Sequence, residues 1–247
     1  MATAPQSDPF DIVIFSAHPD DAELCCGGLL LLAADQGRRT AVVDLTRGEL
    51  GSLGTPEIRD QEAADAAKVL RLTERRNLRI PDGHVRDTDE NREHIVRAMR
   101  ELRPSIVIVP PRDDHHPDHM GVAELVRQSF YLCSIRKYLP DLPPWRPKAL
   151  LHHFGSRHQS PKFVVDISGV IDRRMEAVRC YRSQFESQQK GFPVRIASKR
   201  FLDAIQANLA HYGSLIGVAY GEPYDSEVPL GVTDLVSLFS IEPWKDA

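Results

Sequence analysis

Short, nearly continuous apolar runs alternate along this chain with longer stretches of helical periodicity, and that alternation narrows the choice of fold more than any other feature. Residues 11–16 (Asp-Ile-Val-Ile-Phe-Ser), 40–45 (Thr-Ala-Val-Val-Asp-Leu) and 105–109 (Ser-Ile-Val-Ile-Val) read as strands. Residues 24–36 and 91–102 read as helices, and a further helix starts near Pro56, with Ile58, Ala63, Ala66, Ala67 and Leu70 at roughly helical spacing. Strands that are apolar on both faces need cover on both faces. The pattern therefore implies an α/β fold: a doubly wound, mostly parallel sheet with helices on both faces.

The remaining segments fill in that frame. Residues 77–80 read as a weak strand ended by the turn Pro81-Asp82-Gly83, and 122–133 as a helix. The proline-rich stretch 140–147 breaks the pattern as an exposed connection or flap. Beyond it, 149–154 and 162–167 read as strands, 170–181 and 198–212 as helices, and 235–241 as a last apolar stretch. Neither an internal repeat nor a low-complexity tract divides the chain. We expect one domain over residues 1–247, with a core at about 10–133 and a C-terminal α/β elaboration at about 148–247.

Composition narrows the partners. Of 247 residues, 42% are hydrophobic, enough for a sizeable core, and 31 basic against 35 acidic residues leave a formal net charge of -4. That balance gives no electrostatic reason to expect nucleic acid or an anionic membrane. No apolar run approaches the roughly 18 residues of a spanning helix, and the first residues lack a signal-peptide pattern, so the expected location is cytoplasmic. The four cysteines, Cys25, Cys26, Cys133 and Cys180, follow neither zinc-finger nor disulfide-scaffold spacing, which fits a reducing compartment.

Two short clusters carry the chemistry: Ala17-His18-Pro19-Asp20-Asp21 and His115-His116-Pro117-Asp118-His119. Each follows an expected strand, at the end where open α/β sheets build their ligand crevices. Either one alone would pass as turn and helix-capping chemistry. Together they offer the two imidazoles and a carboxylate of a catalytic zinc site, plus a separate base. His18 and His119 are the natural end ligands. Of the neighbours Asp20 and Asp21, one can bind metal while the other faces the reacting water. His116 with Asp118 can supply an acid if that carboxylate keeps the imidazole protonated. His115 competes for a metal-binding role, being four residues before His119, but Pro117 argues against a helix there.

With both motifs intact, the chain resembles the LmbE-like, or PIG-L, family of zinc-dependent N-acetylglucosamine deacetylases. The resemblance implies His18, Asp21 and His119 as zinc ligands, with another divalent metal such as Fe2+ as the alternative. It further implies Asp20 as general base and His116 as the group that stabilises the tetrahedral intermediate, oriented by Asp118. Segments 46–55, 57–59, 134–138, 163–168 and 181–185 look like the bacillithiol-pathway branch, which deacetylates N-acetylglucosaminyl malate. Another N-acetylglucosamine conjugate or a chitooligosaccharide-type sugar is the alternative substrate. Related enzymes imply Arg59, Glu49 and Asp82 as substrate contacts; equally, Arg59 can pair on the helix surface with Glu57 or Glu62, and Asp82 can merely shape its turn. The resemblance also implies a homo-oligomer, a hexamer being one form.

Two rival readings belong to other classes. In a Rossmann-like sheet, Gly27-Gly28 could serve a nucleotide phosphate, although the Gly-x-Gly-x-x-Gly spacing is absent. A zinc-stabilised scaffold without activity would instead favour a closed, sulfur-rich ligand set.

Overall fold

The structure, a computed structural model, describes residues 8–154, 160–186 and 195–238. Seven strands form one sheet: β1 (Ile12–Ser16), β2 (Thr40–Asp44), β3 (Glu74–Asn77), β4 (Ile106–Val109), β5 (Ala149–His153), β6 (Phe163–Asp166) and β7 (Gly221–Ser226), in the order β3-β2-β1-β4-β5-β7-β6. The first five in that order are parallel, with Ile12 opposite both Thr40 and Ile106, and Ile106 opposite Ala149. β7 runs antiparallel to both of its neighbours.

The strands alternate their side chains between two cores, as the period of two requires. Val13, Phe15, Val43, Val107 and Val109 face one layer, where they meet Ile95 and Met99 of α3 (Asp89–Leu102) and Val122 and Leu125 of α4 (Pro117–Leu132). Ile12, Ile14, Val42 and Ile108 face the other, against Cys26 and Leu30 of α1 (Asp21–Asp35) and Met175 of α5 (Ile171–Arg179). Helix α2 (Pro56–Val69) joins that second layer through Ala63 and Ala66 against Val178. Both faces of the sheet are covered, so the doubly wound expectation holds.

Several boundaries differ from expectation for identifiable reasons. The third strand is Glu74–Asn77, not 77–80: it sits at the sheet edge, where charged side chains are tolerated, and Arg75 turns inward to Asp44 (2.8 Å) and Glu23 (2.5 Å). Helix α4 starts at Pro117, five residues before its first periodic apolar position. Proline stands at the first helical position, where its missing N–H costs nothing, so it opens a helix here and does not forbid one. Strand β7 adds to the expected elements, its pattern being interrupted by Pro223; that proline lies opposite Val164 but beyond the last residue paired with β5, Tyr224 opposite His153. The short helix α6 (Arg182–Phe185) also escapes a periodicity reading, being a single turn.

The 140–147 connection is fastened and not a flap. Arg100 is buried, and its guanidinium donates to the carbonyls of Leu132, Cys133, Ile135, Leu139 and Leu142 at 2.6–3.4 Å. Trp145 adds an indole N–H bond to Pro104 O at 2.7 Å. Helix α7 (Lys199–Leu215) packs on β7, and of the final apolar stretch residues 235–238 form α8 (Leu235–Leu238), while 239–241 lie outside the described residues.

Candidate active site

The order β3-β2-β1-β4-β5 reverses direction between β1 and β4, and the two acid-histidine clusters leave the carboxyl ends of those two adjacent strands. Topology thus brings together what the sequence separates. After β1, Thr46 holds the chain by donating its amide and hydroxyl to Ala17 O (3.0 and 2.9 Å). Asp20 then adopts φ 117°, a left-handed conformation costly for a residue with a Cβ, and Asp21 opens α1. The Asp21 Oδ2 atom accepts from the His18 amide at 2.9 Å, closing the turn. After β4, His116 caps α4 and His119 lies in its first turn.

The Asp21 carboxylate lies between the two expected end ligands. Its Oδ2 is 3.5 Å from His18 Nδ1, and its Oδ1 is 3.3 Å from His119 Nε2. Each imidazole has a carboxylate behind its other nitrogen: His18 Nε2 lies 3.1 Å from Asp82 Oδ1 and 3.5 Å from Asp118 Oδ2, and His119 Nδ1 lies 3.3 Å from Asp114 Oδ2. That is the outer support characteristic of metal-binding histidines, because it fixes the ring and strengthens the facing nitrogen as a donor. Burial pushes both imidazoles down, yet the surrounding carboxylates hold His18 well above its ordinary value and His119 at about 10. Burial likewise pushes Asp21 up, and His119 and His18 outweigh it. Charges that favour a proton at these nitrogens equally favour a cation, so two imidazoles and a carboxylate here fit a divalent metal. His116 offers a third imidazole nitrogen within 4.8 Å of those of His18 and His119.

Asp20 does not face that donor set alone. Arg59 of α2 is buried and donates Nη2 to Asp20 Oδ2 (2.7 Å) and Pro19 O (3.0 Å). Gly48 leaves room for that guanidinium, since a Cβ there would collide with it. Burial raises the Asp20 carboxyl to about 6 despite Arg59, with Asp21 adding to the rise, which places a proton acceptor near neutral pH.

The three residues expected as substrate contacts each have a partner within the site. Arg59 pairs with Asp20, and not with Glu57 or Glu62 on the helix surface. Asp82 backs His18 and accepts from the Leu50 amide at 2.9 Å. Glu49 accepts from the Asp82 amide (2.9 Å) and the Arg47 amide (3.2 Å), binding the 46–55 loop to the Asp82 turn. All three are committed to the frame of the site.

His116 also departs from expectation. The Asp118 carboxylate accepts from the amides of Gly83 (2.8 Å) and Val85 (3.2 Å) and faces His18. What orients His116 is the Asp118 backbone amide, which donates to His116 Nδ1 at 3.2 Å. Burial, then His18 and His119, lower His116, and with Nδ1 accepting from that amide, Nε2 is the nitrogen left to face the site. His115 is exposed, with Nδ1 2.9 Å from Asp114 Oδ1, and stays outside the close group of donor nitrogens.

One supporting residue, Asp114, and one buried neighbour of the site, His153, escape the sequence reading. Asp114 is buried and supports His115, His116 and His119 at once; its signal was a second Asp-Asp pair just ahead of the histidines. His153, at the end of β5, had only the pair His152-His153 to mark it. Gly27-Gly28 take no phosphate: in mid-α1 the amides of Gly28 and Leu29 donate to the buried Glu222 carboxylate at 2.7 and 2.8 Å, which fills that position. A cleft of about 540 Å³ lined by Lys162, Phe163, His211 and Tyr212 lies toward the far sheet edge and holds none of the residues above.

The family described as PIG-L: GlcNAc-PI de-N-acetylase matches residues 13–130, a span that contains both clusters. A solved structure, the conserved protein TT1542 from Thermus thermophilus, is 38% identical with a TM-score of 0.84, covering 92% of this chain and 98% of that one. Among curated proteins, a diacetylchitobiose deacetylase from Thermococcus kodakarensis is 26% identical over 73% of this chain and 72% of its own length. A probable N-acetyl-alpha-D-glucosaminyl L-malate deacetylase 2 from Bacillus cereus is 26% identical over 76% of this chain and 90% of its own.

Proposed function

This chain belongs to the PIG-L family, and from that premise we infer a hydrolase that removes the acetyl group from an N-acetylglucosamine conjugate. The observation that carries the reading is a buried carboxylate, Asp20, poised as a base beside two imidazoles and a carboxylate that suit a divalent metal. His18, Asp21 and His119 would hold that metal, zinc in our reading, which when bound supplies Lewis acidity to the reacting water and the acyl oxygen. Asp20 takes the proton of the water as it attacks the amide carbon. Arg59 keeps the Asp20 carboxylate aimed and ionised. The neutral His116 donates Nε2–H to the developing oxyanion. The proton held by Asp20 is then the one available to the departing amine.

For the conjugate we propose N-acetylglucosaminyl malate, supported by the near full-length match to the Bacillus cereus relative. Diacetylchitobiose is the second reading, favoured by a relative of equal identity. The test is amine release by the zinc-reconstituted protein from both compounds, from an inositol conjugate and from free N-acetylglucosamine. The highest kcat/KM on the malate conjugate is the expected result. A preference for diacetylchitobiose would overturn the substrate assignment, and no release from any of them would overturn the reaction.

A further inference from the structure

His153 is a buried imidazole with no hydrogen-bond partner on either ring nitrogen among the described residues and only 1% exposure. Buried polar side chains are nearly always paired, so an orphan of this kind calls for a ligand. Its neighbour shows the contrast: His152, on the opposite face of β5, binds Pro110 O at 2.8 Å and Glu227 at 3.0 Å.

The strand places His153 beside the site. β5 lies next to β4, with His152 opposite Val109, so His153 stands level with the start of the 110–116 loop that carries Asp114. Alternation puts it on the face of Leu151, which packs with Ala22 and Cys26 of α1, directly after Asp21. The charges it feels are those of Asp21, His119, His152 and Asp114, while burial pushes it down to about 4 and keeps the ring neutral. It is not among the nitrogens that lie within 4.8 Å of one another around His18 and His119.

An amide substrate has a bulky sugar half and a small acyl half. Leu50 and His115 are exposed, whereas His153 is buried. Only the small half suits so buried a position. We propose that His153 is a binding residue for the acyl half, donating a hydrogen bond to the acyl oxygen of the substrate and to the carboxylate of the acetate released. This rests on the deacetylase reading above.

The test uses the zinc-loaded full chain with acetate as probe. In the wild-type protein with 15N-labelled histidines, acetate should shift a ring signal that is missing from His153→Gln; an unmoved His153 signal would mean a trapped water serves the ring and would overturn the proposal. In His153→Leu the acetate inhibition constant should rise about tenfold, the effect of one lost hydrogen bond, with zinc content unchanged. His153→Gln, which keeps a donor, should recover most of that loss. Acetate inhibition equal to wild type in His153→Leu, or loss of zinc from both variants, would overturn it. Acetate binding that depends on His153 in a protein that cleaves no N-acetylglucosamine conjugate would instead sink the deacetylase reading and leave the site.

Discussion

Helix α1 carries two buried ionic assemblies, and they are built on opposite principles. Midway along it, Glu222 and Arg174 replace part of the helix's own hydrogen bonding: Glu222 accepts from the Gly28 and Leu29 amides, from Arg174 Nε (3.0 Å) and from Tyr224 Oη (3.0 Å), while Arg174 Nη2 donates to Leu24 O (2.5 Å). Both carboxylate oxygens are used twice. A Cβ on Gly28 would stand 2.5 Å from Ile167 Cγ2, so glycine is what lets the sheet and its glutamate approach the helix. At the start of the same helix, Asp20 sits in a left-handed conformation with a raised carboxyl, and His153 nearby has no hydrogen-bond partner among the described residues. The first assembly uses every acceptor of its carboxylate, so breaking it strands a charge; the second holds a left-handed residue and a buried imidazole without a partner among the described residues, which fits the binding role proposed for it.

That contrast can be broken from either side. Asp20→Asn should lower kcat by about 10²–10⁴-fold in the amine-release assay, the usual contribution of a general base, while zinc measured by elemental analysis stays bound. Full activity in that variant would remove the base assignment. Glu222→Leu, which strands the Arg174 charge, should cost about 3–5 kcal/mol in denaturant unfolding and leave per-molecule activity of the folded fraction nearly unchanged. Unchanged stability would erase the distinction between the two assemblies.

Smaller changes sharpen it. Asp114→Asn should weaken zinc affinity by about 10–100-fold in a competition titration, since it removes the support behind His119. The mildest test is pH. The folded His153 pKa of about 4 lies below that of a free imidazole, so the unfolded chain takes the proton first; stability is full above about 6.5 and falls as pH drops toward 4. Its share by pH 5 is about 2 kcal/mol. Unfolding free energies measured between pH 7 and 5 should therefore fall less in His153→Gln than in wild type.

The two clusters were legible because each is one contiguous string following an apolar strand. His18, Asp20, Asp21, His116 and His119 all meet in the structure. Arg59, Glu49 and Asp82 were recognisable as belonging to the site, but their posts were not, since each is decided by a partner on another element. The same holds for Asp118, whose carboxylate goes to the Gly83 and Val85 amides and not to the histidine beside it in sequence.

By itself the sequence determined the layered sheet and the kinds of donor at two strand ends, because periodicity and adjacency are properties of neighbouring residues. Only the tertiary structure decided which nitrogen of each histidine faces Asp21, that Glu222 and not a phosphate meets Gly28, and that β7 enters between β5 and β6. Those outcomes depend on groups far apart in the chain, and only packing sets the distances at which a hydrogen bond can choose among them.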